Sequence, residues 1–305
     1  MSVQAKTGTT LARLQSGAHK LRWGVRVVGI GEALRGAVRL VGVRLRNPKS
    51  SEIQLRSGPV LEYDYPRQFP PTLVMFGDLI DPEFAFLREV ARPHWVVADV
   101  GAAIGQFTMF AATLPVAHVH SFEPSSVNIA TLERNIARNG VADRVSVHQL
   151  ALSNTDGEAS FETTELTWMS RLSPGSGQGG EMVGVRTLTG EFERLGLSHV
   201  AVLKVNVAGF EPEVIEGAMP FLAEGRADIL ILLLGLASLP WYARVAALGY
   251  RFFYYHPGER GLYEVTSFDE AAVLGHRPWP ARHIIAIHAR AIEAGIISGF
   301  DIRPS

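Results

Sequence analysis

The stretch Val96–Phe107 constrains the fold of this chain more strongly than its other segments do. It reads Val-Val-Ala-Asp-Val-Gly-Ala-Ala-Ile-Gly-Gln-Phe, an apolar run that passes through a glycine turn into a helical pattern. Strand, tight turn and helix in this order open the nucleotide-binding unit of α/β domains. Asp99 places a carboxylate at the end of the strand, where open parallel sheets bind their ligands. The stretch therefore predicts a ligand site at the turn Gly101–Gly105, where glycine lets the backbone approach a ligand closely.

The chain beyond this unit continues to alternate between strands and helices. Six further core strands are predicted at 117–122, 145–150, 201–207, 227–234, 250–255 and 284–287. This spacing predicts an α/β fold with a mostly parallel, Rossmann-like sheet and helices on both faces. The expected division is a helical extension at 1–50, a hairpin and linker at 51–80, the main domain at 81–290 and a tail at 291–305.

The N-terminal segment is basic, whereas the rest of the chain is acidic. Residues 1–60 contain eleven Lys or Arg and two Asp or Glu, and the remainder contains 18 basic and 28 acidic residues. Apolar residues recur at helical spacing in this segment, at Trp23, Val27, Ile30, Leu34, Val38, Val41 and Leu45. Such an amphipathic helix most often covers its own domain, and the alternative is contact with an anionic membrane surface. Three glycines weaken the helix and are the expected points of a break: Gly31, Gly36 and Gly42.

Composition excludes several classes of chemistry. The 305 residues include no cysteine, which excludes disulfides, thiolate metal sites and a cysteine nucleophile. The longest apolar run, Ile229–Leu234, is the size of a strand, and the N-terminal segment lacks an uninterrupted secretory core. These features predict a cytoplasmic protein, with peripheral membrane contact through the basic segment as the alternative.

A second acid narrows the choice of ligand. Glu123 follows the second core strand about 20 residues after the glycine turn, where a carboxylate accepts hydrogen bonds from ribose hydroxyls. The dinucleotide fingerprint Gly-x-Gly-x-x-Gly is absent, and Asp99 would repel a pyrophosphate. Both features favour S-adenosylmethionine, which carries an adenosine and an amino group but no phosphate.

Five segments together resemble those of the FkbM-type methyltransferases: Asp99–Gly105, Phe122–Ser125, Ala151–Ser153, Arg186–Leu188 and Leu203–Glu211. The resemblance implies a class I fold with a seven-stranded sheet and S-adenosylmethionine as cofactor. It also implies O-methylation of a small-molecule or glycosylated acceptor, such as a sugar, glycolipid or natural product, with no nucleic acid involved.

Carried over by position, the resemblance also implies the site. The methionine end of the cofactor is expected at Asp99, Gly101 and Gly105, the ribose at Glu123 and the adenine at Ala151–Ser153. The full cofactor set is Asp99, Gly101, Ala103, Gly105, Glu123, Ser125, Ala151 and Ser153. The residues expected to act on the acceptor are Lys204, Asn206 and Glu211.

Three acids that this family usually carries are absent from the chain. Asn206 stands in place of Asp, Ala208 stands in place of Glu, and the fifth strand runs into Leu234-Gly235-Leu236 without its Glu. Proximity and orientation supply about 7–11 kcal/mol to such a reaction, whereas a general base adds roughly 10²–10⁴-fold. We therefore expect methyl transfer without these acids. The alternatives are a catalytically degenerate binding protein and, less favoured, a nicotinamide-dependent oxidoreductase.

Two further groups of residues are candidates for binding. The acceptor pocket is expected to include Trp168, Met169 and Arg171, for which surface packing is the equally weighted alternative. His118, His120 and His148 are expected on one face of the sheet, where ordinary hydrogen bonding is favoured over a metal. No metal site is predicted.

Overall fold

The computed structural model describes residues 22, 24–26, 28–78, 81–162, 171–173, 180–233, 238–269 and 283–304. Its strands are β1 (Ser50–Gln54), β2 (Val60–Asp64), β3 (Val96–Val100), β4 (His118–Phe122), β5 (Val145–His148), β6 (Ala151–Ser153), β7 (Gly157–Glu162), β8 (Arg171–Ser173), β9 (Glu181–Thr187), β10 (Val200–Val205), β11 (Ala227–Leu233), β12 (Tyr250–His256), β13 (Gly261–Val265), β14 (His283–His288) and β15 (Asp301–Pro304). Its helices are α1 (Ile30–Arg46), α2 (Pro71–Phe76), α3 (Pro82–Val90), α4 (Gln106–Thr113), α5 (Ser126–Asn139), α6 (Leu188–Arg194), α7 (Glu211–Ala223), α8 (Leu239–Ala246) and α9 (Ala289–Glu293).

The main sheet has nine strands in the order β15-β13-β12-β14-β11-β10-β3-β4-β5. The strands from β11 through β5 are parallel to their neighbours, and β14 pairs antiparallel with both β11 and β12. The seven expected strands are all present, so the predicted α/β architecture is confirmed. The sheet is nevertheless wider than expected, because β13 and β15 extend it beyond β12. Residues predicted as a tail thus supply β15, an edge strand parallel to β13.

Hydrophobic cores cover both faces of the sheet. Val97 packs with the aromatic residues of α3 and α4, whereas Ala98 and Val100 pack with those of α6 and α7. This alternation follows from the two-residue period of a strand, which sends successive side chains to opposite faces. Asp99 consequently lies on the same face as Val97, beneath α4, and it is fully buried.

The third core strand, predicted at 145–150, ends at His148. Residues Val145–His148 pair with β4, but Ala151–Ser153 pair with β9 in a separate four-stranded sheet of order β6-β9-β7-β8. The predicted hairpin is present as β1 and β2. It is attached to α5 by Asn135, whose Oδ1 accepts from the Glu62 amide at 2.7 Å.

The N-terminal helix breaks at a glycine that differs from the three expected. Gly29, at φ 82°, separates α1 from the helical residues that precede it, and α1 then continues through Gly31, Gly36 and Gly42. Helix α1 does pack on its own domain, against α2, but through a face of small residues. None of the helices formed by the described residues has both the length and the apolar character to cross a membrane.

Candidate active site

A cavity of about 470 Å³ opens where β3, β4 and β10 end. Parallel strands bring their carboxyl ends to one edge, so the loops that follow them surround a common space. The volume lies within the range of small-molecule sites, about 300–1,000 Å³. The walls include residues 100–104 of the glycine turn, 122–124 after β4, 150–152 and 206–208 after β10.

The glycine turn is held in place by its neighbours. The amides of Gly101 and Ala102 donate to the Phe122 carbonyl at 3.0 and 3.1 Å, which ties the turn to the end of β4. Gly101 has φ 78°, and a Cβ there would lie 2.0 Å from the Asn206 carbonyl oxygen. Glycine is therefore required at this position both by the backbone conformation and by the close approach of β10.

Glu123 accepts hydrogen bonds from the glycine turn and from the beginning of α5. Its Oε2 accepts from the Ala103 amide at 2.9 Å, and its Oε1 accepts from the Ser125 amide and from Asn128 Nδ2, both at 3.1 Å. Burial raises the pKa of this carboxyl, while the hydrogen bonds from Asn128, Ser125 and Ala103 act in the opposite direction. Glu123 lines the cavity, as the sequence predicts.

Asp99 is engaged within the protein. Its Oδ1 accepts from Lys204 Nζ at 2.7 Å and its Oδ2 accepts from Thr108 Oγ1 at 2.7 Å. Lys204 also donates to the Gly101 carbonyl at 2.9 Å, so the ion pair fastens β10 to the glycine turn. Lys204 lines the cavity, but Asp99 does not.

The other predicted residues divide into cavity walls and supports. Gly101, Ala103, Ala151 and Asn206 line the cavity, whereas Gly105, Ser125, Ser153 and Glu211 do not. Ser125 caps α5, since its Oγ accepts from the Asn128 amide, and Glu211 accepts from the Val207 amide at 2.8 Å. Ser125 and Glu211 thus stabilise the segments around the cavity.

A buried histidine that the sequence analysis did not identify also lines the cavity. His283 Nδ1 is hydrogen-bonded to Glu83 Oε1, and its Nε2 lies 3.3 Å from Asn206 Nδ2. Both His283 and Glu83 are almost completely buried. His283 is the first residue of β14, and because β14 is antiparallel to β11, its beginning lies at the carboxyl edge of the parallel strands. The sequence feature that could have identified His283 is its position as a polar residue directly before the apolar run Ile284–Ile287.

The remaining wall of the cavity is largely apolar. Its residues include Pro70, Pro71 and Leu73 at α2, Phe84 of α3 and Phe210 before α7. Trp168 and Met169, predicted to bind the acceptor, lie outside the described residues. Arg171 begins β8, which pairs with β7 in the smaller sheet.

The three sheet histidines interact with one another and with neighbouring residues. His120 Nδ1 lies 3.0 Å from His148 Nε2, and His118 Nε2 lies 2.9 Å from Ser146 Oγ. Burial lowers the pKa of His120 to about 4, with smaller contributions from His118 and His148. Within the described residues, no cluster of His, Asp or Glu has an arrangement suited to a metal ion.

A glycine turn and a buried acid after successive parallel strands, with a cavity at their carboxyl ends, define a Rossmann-like α/β domain. Residues 99–251, half of the chain, match the family model of the methyltransferase FkbM domain. The chain belongs to this methyltransferase family, so the predicted resemblance is confirmed.

Individual relatives either match a smaller part of the chain or have a lower sequence identity to it. The 31-O-demethyl-FK506 methyltransferase FkbM of Streptomyces tacrolimicus is 48% identical over 67 residues, which are 22% of this chain and 25% of that protein. The structure of methyltransferase FkbM from Methylobacillus flagellatus KT is 12% identical with a TM-score of 0.44, covering 91% of this chain and 60% of that one. An rRNA methylase from Streptococcus thermophilus is 12% identical with a TM-score of 0.41, covering 68% and 93%.

Proposed function

We propose that this protein is an S-adenosylmethionine-dependent O-methyltransferase that acts on a hydroxyl of a sugar, glycolipid or natural product. The observation that carries the proposal is the buried Glu83–His283 pair beside Asn206 at the wall of the cavity. It supplies a candidate general base in a chain that lacks three acids usual in its family. A cytoplasmic location remains a prediction from composition.

The residues at the cavity fit the proposed cofactor. The carboxylate of Glu123 has room for about four hydrogen bonds, and three protein donors engage it, which leaves Oε2 able to accept from a ribose hydroxyl. Leu150, Ala151 and Leu152 offer an apolar surface for an adenine. When bound, S-adenosylmethionine supplies an electrophilic methyl group on a positively charged sulfur.

Asp99 has a supporting part in this proposal. Its charge is already matched by Lys204, and it lies below the cavity wall, so we do not assign it to the amino group of the cofactor. The pair instead holds the glycine turn against β10, where the turn's backbone faces the cavity. Preorganised backbone positions of this kind avoid an ordering cost when the ligand binds.

His283 is proposed as the group that takes the acceptor's proton. With Nδ1–H donating to the Glu83 carboxylate, Nε2 carries the lone pair, which accepts from the Asn206 amide. An acceptor hydroxyl that replaces this amide as donor would pass its proton to Nε2 as the oxygen becomes methylated. The Glu83 carboxylate would then stabilise the imidazolium, as an oriented acid does in other histidine bases.

The apolar wall supports the proposed class of acceptor. Pro70, Pro71, Leu73 and Phe210 present an apolar surface, which suits an acceptor with an apolar body or a sugar ring in addition to its hydroxyl.

A paired set of variants tests the proposal. His283→Asn keeps an amide donor for Glu83 but provides no base, so it should lower kcat by about 10²–10⁴-fold while the affinity for S-adenosylmethionine is retained. Glu123→Ala should do the opposite and weaken that affinity by about tenfold or more, since it removes a charged hydrogen-bond acceptor. Calorimetry measures the binding, and labelled methyl transfer into a cell extract, followed by identification of the product, measures turnover.

The outcomes separate the alternatives. Binding of S-adenosylmethionine without transfer to any extract component would favour the degenerate binding protein. Failure to bind it at millimolar concentration would overturn the cofactor assignment. An unchanged kcat in His283→Asn would remove His283 from the reaction while leaving the cofactor assignment intact.

A further inference from the structure

Helix α1 exposes a continuous apolar stripe to solvent. Five side chains of this 17-residue helix are between 53% and 81% exposed: Ile30, Leu34, Val38, Val41 and Leu45. Their steps of three and four residues place them on one face, within an arc of about 80° and along about 22 Å of helix. Among the described residues, the other exposed large hydrophobic side chains are Met182, at 56%, and Ile302, at 41%. The apolar exposure is therefore concentrated on one element.

The opposite face of α1 is fixed to the domain. Ala33, Gly36 and Val43 are buried, and a Cβ on Gly36 would lie 1.9 Å from the Met75 carbonyl oxygen of α2. This close approach needs a glycine, and it leaves no space for the helix to rotate its larger apolar side chains inward. The stripe is consequently held outward by the packing on α2.

Positive charge lines both borders of the stripe. At 100° per residue, Arg35, Arg39 and Arg46 fall beyond one border and Arg44 falls beyond the other, and all four are exposed. The helix contains a single acid, Glu32, which is paired with Arg35 and lies near Arg39 and Arg56. Two exposed arginines, Arg22 and Arg26, precede α1 in the chain.

We propose that α1 docks this protein on the surface of an anionic lipid bilayer. A helix in the membrane interface buries an apolar stripe between the acyl chains while cationic side chains at its borders meet the lipid phosphates. Each arginine close to such a surface strengthens binding about fivefold at low salt. The acidic character of the rest of the chain makes the basic segment the face that an anionic surface attracts.

A second copy of the chain fits the stripe less well. Two stripes packed face to face would bring the bordering arginines of one copy against those of the other, and like charges across an interface oppose association. The bilayer instead complements both the apolar stripe and its borders. Helix α2, on which α1 rests, contributes Pro71, Thr72 and Leu73 to the cavity wall. Docking would thus place the cavity one helix away from the membrane, and this placement does not depend on the reaction proposed above.

Co-sedimentation of the full chain with vesicles tests the proposal. We expect binding to vesicles of phosphatidylcholine with phosphatidylglycerol, and weak binding to phosphatidylcholine alone. The variant Leu34→Gln/Val38→Gln/Leu45→Gln should lose at least about tenfold in partitioning. Arg35→Gln/Arg39→Gln/Arg44→Gln should lose roughly 100-fold at low salt and much less at high salt. The matched control Met182→Gln/Ile302→Gln removes exposed apolar surface elsewhere and should bind like the unmodified chain.

Circular dichroism and light scattering complete the test. All of these side chains are exposed, so each variant should keep the native helix content. Unchanged partitioning in the stripe variant, or equal binding to both kinds of vesicle, would overturn the proposal. A mass of two chains in solution that falls to one in the stripe variant would assign the stripe to a second copy instead.

Discussion

Replacing Asp99 with Asn removes one charge from a buried ion pair and leaves the shape of the side chain almost unchanged. In the native protein, the Asp99 carboxylate accepts from Lys204 and from Thr108, both at 2.7 Å. The variant leaves the Lys204 ammonium beneath the glycine turn with only neutral acceptors among these partners, the amide oxygen of the new Asn and the Gly101 carbonyl.

The cost of this change follows from burial. The side chain of Asp99 is fully buried and that of Lys204 is 8% exposed, so water cannot compensate for the lost negative charge. Removing one member of a buried pair costs about 3–5 kcal/mol, which is a large part of the 5–15 kcal/mol that stabilises a typical domain. A fall of several degrees in Tm is expected. The double variant Asp99→Asn/Lys204→Met leaves no unpaired charge and should recover part of the loss.

Urea unfolding followed by tryptophan fluorescence measures the change in stability, and calorimetry measures the affinity for S-adenosylmethionine in the folded variant. We expect the loss of stability to dominate, with an affinity loss of less than about tenfold. The supporting role is refuted if the free energy of unfolding of Asp99→Asn lies within about 0.5 kcal/mol of the native value and the variant loses most of its affinity. Asp99 would then contact the ligand directly.

Two further predictions concern the turn and the sheet histidines. Gly101→Ala would place a Cβ 2.0 Å from the Asn206 carbonyl oxygen and should abolish high-affinity binding of S-adenosylmethionine. Gly209→Ala, at φ 95° in open space, should cost only about 1–2 kcal/mol of backbone strain, and equal effects of the two in calorimetry and urea unfolding would contradict this reasoning. Because burial lowers the pKa of His120 to about 4, the unfolded chain binds its proton first, so the free energy of unfolding should fall as the pH drops from about 6.5 to 4. His120→Gln should flatten that fall in urea titrations across this pH range, and parallel curves would count against it.

The reaction centre proposed here differs from the pattern that the family resemblance implies. Asn206 stands directly after β10 in place of an acid, and the nearby polar pair is His283 with Glu83. A histidine that is oriented by a carboxylate can act as the general base in place of the missing acids. Lys204, one of the residues retained from the family pattern, serves in the structure to bind Asp99 and the glycine turn.

Local pattern was sufficient to predict much of the fold. Strand β3, its glycine turn and helix α4 were identified from an apolar run and two glycines. Glu123 was also predicted at the site, because an acid directly after a parallel strand is placed by the strand itself. These features depend on backbone preferences and periodicities within about twenty residues, and a sequence displays them directly.

The orientation of side chains and the contacts between residues far apart in sequence could be determined only from the tertiary structure. Asp99 lies near the end of its strand as predicted, but its partner Lys204 lies 105 positions later, and this contact engages the carboxylate within the protein. Glu83 and His283 are separated by 200 positions, and the antiparallel pairing of β14 with β11 brings them to one cavity.

The N-terminal helix also shows what local pattern predicts and what only tertiary packing decides. The sequence alone indicated a basic amphipathic helix in the N-terminal segment, because helical periodicity is a property of neighbouring residues, although it placed the break at the wrong glycine. It did not determine which face would pack. Gly36 and its small neighbours allow the close approach to α2 that larger apolar side chains would prevent, so the tertiary structure buries the small face and leaves the apolar stripe in solvent.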